Sequence, residues 1–540
     1  MKLVTVSEMQ AIEHEANAGG LTYEIMMENA GRGLAKEIEE IYHERKEAGV
    51  LGLVGSGNNG GDTLVALSYL AGWGWNATAY FVRPRLADDN LVTRLRQTGA
   101  NLISVAEDLD YMQLNSLIST TGVLLDGVLG TGIKLPLQAK EAEVLGETRQ
   151  ALLGMEDPPC IIAVDLPSGV DGKSGEAAAE SIPADLTMTM AAVKAGMLCF
   201  PAGKLIGELR VVDIGLTDQP SWLSIRQSVA DLEMVRAILP DRPPDSHKGT
   251  FGTTLVVAGS LNYTGAALLS GKAAFRVGSG LITLAIPAPI HSALAGHFPE
   301  STWLLLPHDM GVISAEAADL VLKNLSRPTA MLIGPGLGLE DTTQDFLFRL
   351  IGAGPQNRRG GMGFLISAKD GLQVHTTKLP PLVFDADGLK LLARIPGWFT
   401  LLPAPAVLTP HPGEMGVLTG LPVSEIQSAR LETAVRYAKE WGHVVVLKGA
   451  YTIIAAPDGE STVIPVATAA LARAGTGDVL SGLIAGLLSQ GVGAFPSAVA
   501  GCWIHAQAGL RAAENLGNTA SVLAGDVLQA VTGVLNELMN

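Results

Sequence analysis

The sequence predicts an α/β protein built from two successive units, and three observations predict it. Short apolar runs alternate with helix-period stretches from one end to the other, the pattern of parallel strands joined by helical crossovers. Glycine-bearing loops follow many of those runs, and 63 glycines in 540 residues exceed the usual share of about 7%. The alternation breaks at residues 216–247, where Asp241-Arg242-Pro243-Pro244-Asp245 interrupts it. A prior of roughly 100–200 residues per domain allows two to four domains. The expected division is 1–225 and 226–540, with a linker near 216–230.

In the first unit residues 9–19 and 22–43 read as helices, and the apolar run 50–54 as a strand leading into a helix at 62–73. Further strands are expected at 78–82, 123–126 and 161–165. The second series opens with a β-branched strand at 253–258 and a helix at 265–278. Strands at 281–286, 331–333, 382–385, 406–408 and 444–447 follow. Residues 352–380, glycine-rich and basic at Arg358-Arg359, read as a surface insertion or an irregular hairpin.

Composition narrows the function. With 47% hydrophobic and 17% charged residues, the chain can bury an ordinary core. A net charge of −17 without a long basic run argues against a nucleic-acid partner. Cys160, Cys199 and Cys502 show no C-x-x-C spacing, so neither a disulfide framework nor a zinc site is indicated. Residues 1–17 carry Glu8, Glu13 and Glu15, unlike a signal peptide, and no run of about 18 apolar residues could span a membrane. A cytoplasmic protein without a membrane partner is expected. An acidic protein that binds phosphate must do so locally, with backbone amides and a few placed lysines.

The most informative segment is Arg473-Ala474-Gly475-Thr476-Gly477-Asp478, running into the apolar stretch 479–488. Small residues opening a helix let backbone N–H groups approach an anion at the favourable end of the helix dipole. Asp478 is the one ionisable side chain from 475 to 488, and phosphate would repel it unless it had a task such as accepting a hydroxyl proton. The alternative is an acidic first-turn residue favoured by the dipole alone.

Gly55-Ser56-Gly57-Asn58-Asn59-Gly60-Gly61-Asp62 follows a strand and precedes a helix, where α/β sheets bind ligands, or else makes a structural turn. Asp126 and Asp165 end two further strands, the first leading into Gly130-Thr131-Gly132-Ile133-Lys134-Leu135-Pro136. Three strand-end loops with carboxylates, glycines and hydroxyls point to a composite site. Asn59, Asp126 and Ser168 offer hard oxygens suited to an alkali cation. In the second unit Tyr263-Thr264-Gly265-Ala266, Gly334–Gly338, Asp385-Ala386-Asp387-Gly388 and His411-Pro412-Gly413-Glu414 end successive strands. Lys448-Gly449-Ala450-Tyr451-Thr452 places a lysine where it would neutralise nucleotide phosphate or cap a sheet edge, and His411 either contacts a ligand or occupies a solvated turn. Together with 475–478 they compose a phosphoryl-transfer site in an order that resembles the ribokinase-like superfamily.

Over nearly its whole length the chain resembles the bifunctional NAD(P)H-hydrate (NAD(P)HX) repair enzymes, an epimerase fused to an ADP- or ATP-dependent dehydratase. Met27-Glu28-Asn29-Ala30-Gly31, 58–62, 130–136 and 165–171 carry the first half of the resemblance. Residues 263–266, 334–338, 411–414, 448–452 and 475–478 carry the second. It implies a Rossmann-like three-layer αβα domain followed by a ribokinase-like domain. By this similarity Asn58, Asn59, Gly60, Gly61, Asp62, residues 130–136 and Asp165 would contact the hydrated nicotinamide nucleotide, with Asp165 the acid–base residue. Asn59, Asp126 and Ser168 would hold potassium. Ala266, Gly336, Gly338, His411 and Asp478 would face the hydrate in the dehydratase, with Asp478 the base. Lys448, Gly449, Ala450, Tyr451, Thr452 and Gly477 would hold ADP or ATP with Mg²⁺. A homo-oligomer is expected. Ala474 stands where the family has glycine, Thr468-Ala469 where it has Asn-Pro, and Thr63 where glycine is common, which bears on rate and nucleotide preference. The alternatives are a ribokinase-like kinase acting on a vitamin precursor and a non-enzymatic nucleotide sensor.

Overall fold

The computed structural model describes residues 1–86, 88–353 and 379–539. They form two compact units, Met1–Val229 and Ala230–Asn540. The surface insertion or hairpin expected at 352–380 falls almost wholly at 354–378, outside the described residues. The span expected as a linker, 216–230, carries a short helix at Pro220–Leu223 and a strand at Gln227–Val229.

In the first unit seven parallel strands lie in the order Asn101–Ser104, Ala77–Phe81, Val50–Val54, Val123–Gly127, Cys160–Val164, Leu186–Met190, Glu208–Val212. Val50–Val54 shows why the sheet is covered on both faces. Val50 and Val54 enter one apolar core while Leu51 and Leu53 enter another, as the two-residue period of a strand requires. Helices Tyr23–Tyr42 and Asn58–Gly72 pack together over the first core, and Met112–Ile118 and Ala139–Leu153 over the second. The unit is therefore the three-layer αβα arrangement expected.

One boundary differs in a way that matters for chemistry. The helix expected at 62–73 begins four residues earlier, as Asn58–Gly72. Gly60 permits this: a Cβ there would lie 2.0 Å from the carbonyl oxygen of Gly55, so only glycine lets the first turn press against the strand end. Asp62 consequently projects from within the helix rather than from the loop before it. Strands Leu186–Met190 and Glu208–Val212 were not anticipated, because Leu-Thr-Met-Thr-Met is not an apolar run. Its threonines are buried nonetheless, Thr187 donating to the carbonyl of Ile206 at 2.7 Å and Thr189 to Asp165 at 3.1 Å.

In the second unit the strands run Ser461–Val463, Ile453–Ala455, Val444–Leu447, Val407–Leu408, Leu382–Phe384, Ala330–Ile333, Thr253–Val257, Leu281–Pro287, Thr302–Leu306. Ile453–Ala455 pairs antiparallel with both of its neighbours, and the other pairings are parallel. Helix Thr476–Ser489 is apolar on all sides because it is covered on all sides. It packs on Thr264–Arg276, on Ala494–Leu516 and on the sheet, and every residue from Val479 to Ser489 is buried.

Candidate active sites

Strands Val50–Val54, Val123–Gly127 and Cys160–Val164 are adjacent and parallel, so their carboxyl ends open together. A cleft of about 340 Å³ lies there, lined by Asn58, Asn59, Asp62, Thr131 and Asp165, all expected from the sequence. Asp165 has φ 67°, uncommon for a residue with a side chain. Its Oδ1 accepts from Thr189 Oγ1 at 3.1 Å, from the Met190 N–H at 3.0 Å and from Lys194 Nζ. Lys194 is 2% exposed and also donates to Thr189 Oγ1 and the Met190 carbonyl, both at 3.0 Å. Such a charge is stable inside a protein when it is paired and hydrogen-bonded, and this one is both.

Asp62 has no such lysine of its own. Burial, then the Asp165 carboxylate, then Glu13 push its carboxyl well above the ordinary range, and Lys194 opposes them only partly. Glu13, also in the cleft, is raised mainly by burial. The cleft therefore holds one lysine-matched aspartate beside a carboxyl that burial pushes well above its ordinary range.

The proposed cation ligands do converge. Asp126 is 1% exposed, and its Oδ2 accepts from the Ser168 N–H at 2.8 Å. Its Oδ1 is buried and has no hydrogen-bond partner among the described residues. Ser168 Oγ accepts from the Leu129 N–H at 2.9 Å, and Asn59 Nδ2 donates to the carbonyls of Leu129 and Val164 at 3.0 and 2.6 Å. Gly130 closes over Asn59, where a Cβ would stand 2.4 Å from Oδ1. Gly60 and Gly61 take a packing position instead, against Gly55 and Met27, and do not line the cleft. Of residues 130–136 only Thr131 lines it; Gly132, Lys134 and Pro136 face solvent and Ile133 and Leu135 are half-buried.

In the second unit a cleft of about 510 Å³ is lined by His411, Lys448, Gly449, Ala450, Thr452 and Gly477. Tyr451 departs from expectation. It is 6% exposed, and its N–H donates to the Val466 carbonyl at 3.0 Å, so the residue belongs to the wall's framework rather than its lining. Gly475 caps helix Thr476–Ser489 with φ 88°, a left-handed conformation that favours glycine. The first-turn N–H groups lack intrahelical partners and carry the positive end of the dipole.

Asp478 stands in that first turn, half-buried, and its carboxyl is pushed up to about 7. Burial is the largest cause; the neighbouring Asp385 and Asp387 add to it, and Lys448 works against it. Lys448 is not a free cation for phosphate. Its Nζ donates to Asp385 Oδ1 at 2.7 Å and lies 3.7 Å from Glu414 Oε2. Burial lowers the lysine's proton affinity, but Asp385 and Glu414 outweigh it and leave it raised. His411 caps helix Pro412–Thr419, Nδ1 accepting from the N–H groups of Gly413 and Glu414 at 3.0 and 3.3 Å. That bonding leaves Nε2 to carry the proton of the neutral ring. Gly336 lies against Ala266 and Tyr263, and the Gly338 N–H donates to Asp387 Oδ2 at 3.1 Å.

Comparison with known proteins bears on these two sites. Residues 254–532 match the family model described as NAD(P)H-hydrate dehydratase, and residues 23–196 that described as YjeF-related protein N-terminus. The bifunctional NAD(P)H-hydrate repair enzyme Nnr of Moorella thermoacetica is 34% identical, aligned over 100% of this chain and 97% of its own. That of Escherichia coli is 30% identical, over 96% of this chain and 91% of its own. The chain belongs to the bifunctional NAD(P)H-hydrate repair enzymes. Among solved structures, an ADP/ATP-dependent NAD(P)H-hydrate dehydratase from Bacillus subtilis, co-crystallised with ATP/Mg²⁺, is 29% identical with a TM-score of 0.45. It covers 58% of this chain and 98% of its own.

Within this repair enzyme, the sequence missed Glu13 in the first cleft, Lys194 buried against the cleft's Asp165, and His505 and Cys502 in the second. Lys194 left one signal, a lone charge inside an otherwise uncharged stretch from 186 to 203. The departures from the family pattern are accommodated. Thr468 caps the turn Ala469–Leu471 through its hydroxyl, Ala474 is exposed, and Thr63 Oγ1 donates to the Asn59 carbonyl at 2.7 Å. Among the described residues no helix is long and apolar enough to cross a membrane.

Proposed function

We propose that Asp478 is the base of a nucleotide-dependent dehydration of NAD(P)HX in residues 226–540, and that residues 1–225 interconvert the hydrate's epimers. The observation that carries this reading is a carboxyl poised near neutrality in the first turn of a helix that opens onto a cleft. A base works best when its proton affinity lies near the working pH.

The hydrate bears a hydroxyl on C6 of the reduced nicotinamide ring, and hydroxide leaves poorly. Asp478 takes that hydroxyl's proton as its oxygen attacks the terminal phosphoryl group of ADP or ATP, releasing AMP or ADP. The first-turn amides around Gly477 hold the charge on the phosphoryl oxygens during transfer. The ring nitrogen then expels phosphate from C6, and loss of the C5 proton restores NAD(P)H. Mg²⁺ would arrive as the counter-ion of the nucleotide. No cluster of three His, Cys, Asp or Glu side chains suited to a metal exists among the described residues, so no protein ligand is assigned to it.

In the first unit the acid–base role expected of Asp165 passes to Asp62 in this reading, because Asp165 is already engaged by Lys194 while burial raises the Asp62 carboxyl. Asp62 supplies the proton that lets the C6 oxygen depart as water, and takes a proton back when water adds to the opposite face. The Asp165 carboxylate, held by Lys194, stabilises the cationic ring between those steps. Potassium fits the residues present: Asp126 Oδ1 is a buried carboxylate oxygen awaiting a positive partner. Asn59, Asp126 and Ser168 would hold it, and it would supply fixed positive charge to that edge of the cleft.

The test is recovery of NADH absorbance from an R,S mixture of NADHX with ADP or ATP. Consumption of both epimers supports the reading, and no recovery with either nucleotide would overturn it. Asp126→Ala should abolish any preference of epimerisation for potassium over sodium and leave dehydration unchanged. An unaltered potassium response would remove Asp126 from the ligand set.

A further inference from the structure

Both ligands of the dehydration carry phosphate, and the second cleft offers them little uncommitted positive charge. His411, Lys448, Arg473 and His505 are the side chains of its lining able to carry such a charge. Lys448 is met by Asp385 Oδ1 at 2.7 Å and Glu414 Oε2 at 3.7 Å, so that trio is net negative. Burial lowers the imidazole of His411 and takes that of His505 down to about 4, which leaves both rings neutral at pH 7. Arg473 is different. It is exposed, and among the described residues it donates to the backbone carbonyl of Ala520 and pairs with no carboxylate. A guanidinium carries five N–H donors and a permanent charge, and one neutral carbonyl offsets neither.

The backbone fixes where this side chain leaves the chain. Thr476 Oγ1 donates to the carbonyls of Arg473 and Leu471 at 2.8 and 2.9 Å. Those bonds tie the segment before the helix to the first turn of Thr476–Ser489. Arg473 is thus anchored just before Gly475 and shares the lining of the cavity of about 510 Å³ with Gly477. An anion drawn to the first-turn amides enters the same cavity as the guanidinium. The planar fork of an arginine matches two phosphate oxygens at once, and a charged acceptor is stronger than the Ala520 carbonyl.

We propose that Arg473 is the phosphate-binding cation of the second cleft, its guanidinium donating to phosphate oxygens of a ligand bound there. This rests on the reading that phosphoryl transfer takes place in that cleft. The phosphate is that of the donor nucleotide or that of the hydrate, two sources of one chemistry. Arg473 then does what the sequence suggested for Lys448, which its own carboxylates hold.

The experiment measures kcat and KM of the full-length chain for ATP, ADP, NADHX and NADPHX at low and high NaCl. Arg473→Gln, at an exposed position, should raise the KM of the ligand it binds about tenfold and leave kcat near that of wild type. A rise confined to ATP and ADP identifies the nucleotide. A rise for both hydrates identifies their shared diphosphate, and a rise for NADPHX alone its additional phosphate. The affected KM should climb with salt in wild type and flatten in the variant, because screening acts on a charge pair that the variant lacks. Arg473→Lys, which keeps the charge and loses the fork, should fall between the two. KM values unchanged for all four ligands, or equal rises for all four with the salt dependence intact, overturn the proposal and leave Arg473 a tie to Ala520. Ala472→Trp, an exposed position in the same lining, narrows the cavity and should raise the KM for nucleotide. If it does not, the nucleotide lies elsewhere and the site reading fails together with the proposal, whereas a null result at Arg473 alone spares that reading.

Discussion

The two units solve one electrostatic problem in the same way and arrive at different settings. In each, an aspartate just past a parallel strand pairs with a lysine, Asp165 with Lys194 and Asp385 with Lys448. In each, a second aspartate projects from a neighbouring helix, Asp62 from Asn58–Gly72 and Asp478 from Thr476–Ser489. The helix aspartates differ in what surrounds them. Asp62 is 7% exposed, and burial, then Asp165 and Glu13, push its carboxyl well above its usual range, with Lys194 opposing them only partly. Asp478 is only half-buried, and burial, then Asp385 and Asp387, raise it against Lys448 to about 7. Proton affinity is set here by how much water and how much lysine each carboxyl retains. The first setting suits an acid and the second a base.

The sharpest way to break that contrast is at the bases themselves. Asp478→Asn keeps the shape and removes the proton acceptor. Nucleotide-dependent dehydration should fall about 10²–10⁴-fold while epimerisation is untouched. Dehydration retained within tenfold of wild type would assign the proton transfer to another group.

The lysines should separate next. Lys194 is 2% exposed, so Lys194→Met leaves Asp165 buried with no counter-charge. The expected cost is about 3–5 kcal/mol in thermal unfolding of the first unit. Lys448→Met leaves two buried carboxylates, Asp385 and Glu414, without their lysine and should cost at least as much. A smaller loss there would mean that solvent access to the lysine end, rather than burial of the carboxylates, sets the cost.

How far the sequence foretold these sites follows from what a linear pattern can carry. Asp126, Asp165, Asp385 and Asp478 were legible because each ends an apolar run or opens one, and parallel sheets put such positions on one edge. Val444–Leu447, an unbroken run of β-branched and leucine side chains, was legible to the residue. Lys194 was not. It sits among residues whose burial comes from strand Leu186–Met190, which reads as half polar until its threonines find acceptors. His505 was hidden differently, since no spacing in the sequence ties helix Ala494–Leu516 to the wall of the cleft. Tyr451 misled because one residue of a loop can turn into the framework while its neighbours face the cleft.

A smaller effect tests whether Asp62 is held protonated. Its folded carboxyl binds a proton that the unfolded chain releases near pH 4, so stability falls as pH rises from that value toward the raised one. Asp62→Asn cannot ionise and should make the first unit more stable at pH 7 while epimerisation is lost. Each 1 kcal/mol gained moves its Tm by about 2–4 °C. A variant less stable than wild type at pH 7 would show that Asp62 is ionised and paired in the folded state.

The finest test separates the like-charge contribution to Asp478 from burial. With Asp478 as the proposed base, the dehydration rate should rise with pH through about 7 and level off above. Asp387 is among the groups that raise this carboxyl, behind burial and Asp385, and its own partners are Lys390 at 3.1 Å and the Gly338 N–H at 3.1 Å. Asp387→Asn removes a negative charge and keeps an amide able to occupy the same hydrogen-bonding position. The acidic limb of the kcat profile should then move to lower pH, while the plateau stays near that of wild type. Lys448→Met removes the one opposing charge and should move the limb the other way. If neither substitution moves it, the neighbouring charges are screened and burial alone sets the base. Opposite displacements would establish that the second unit holds its aspartate near neutrality by balancing lysine against carboxylate, a balance that Lys194 strikes only partly at Asp62 against burial, Asp165 and Glu13.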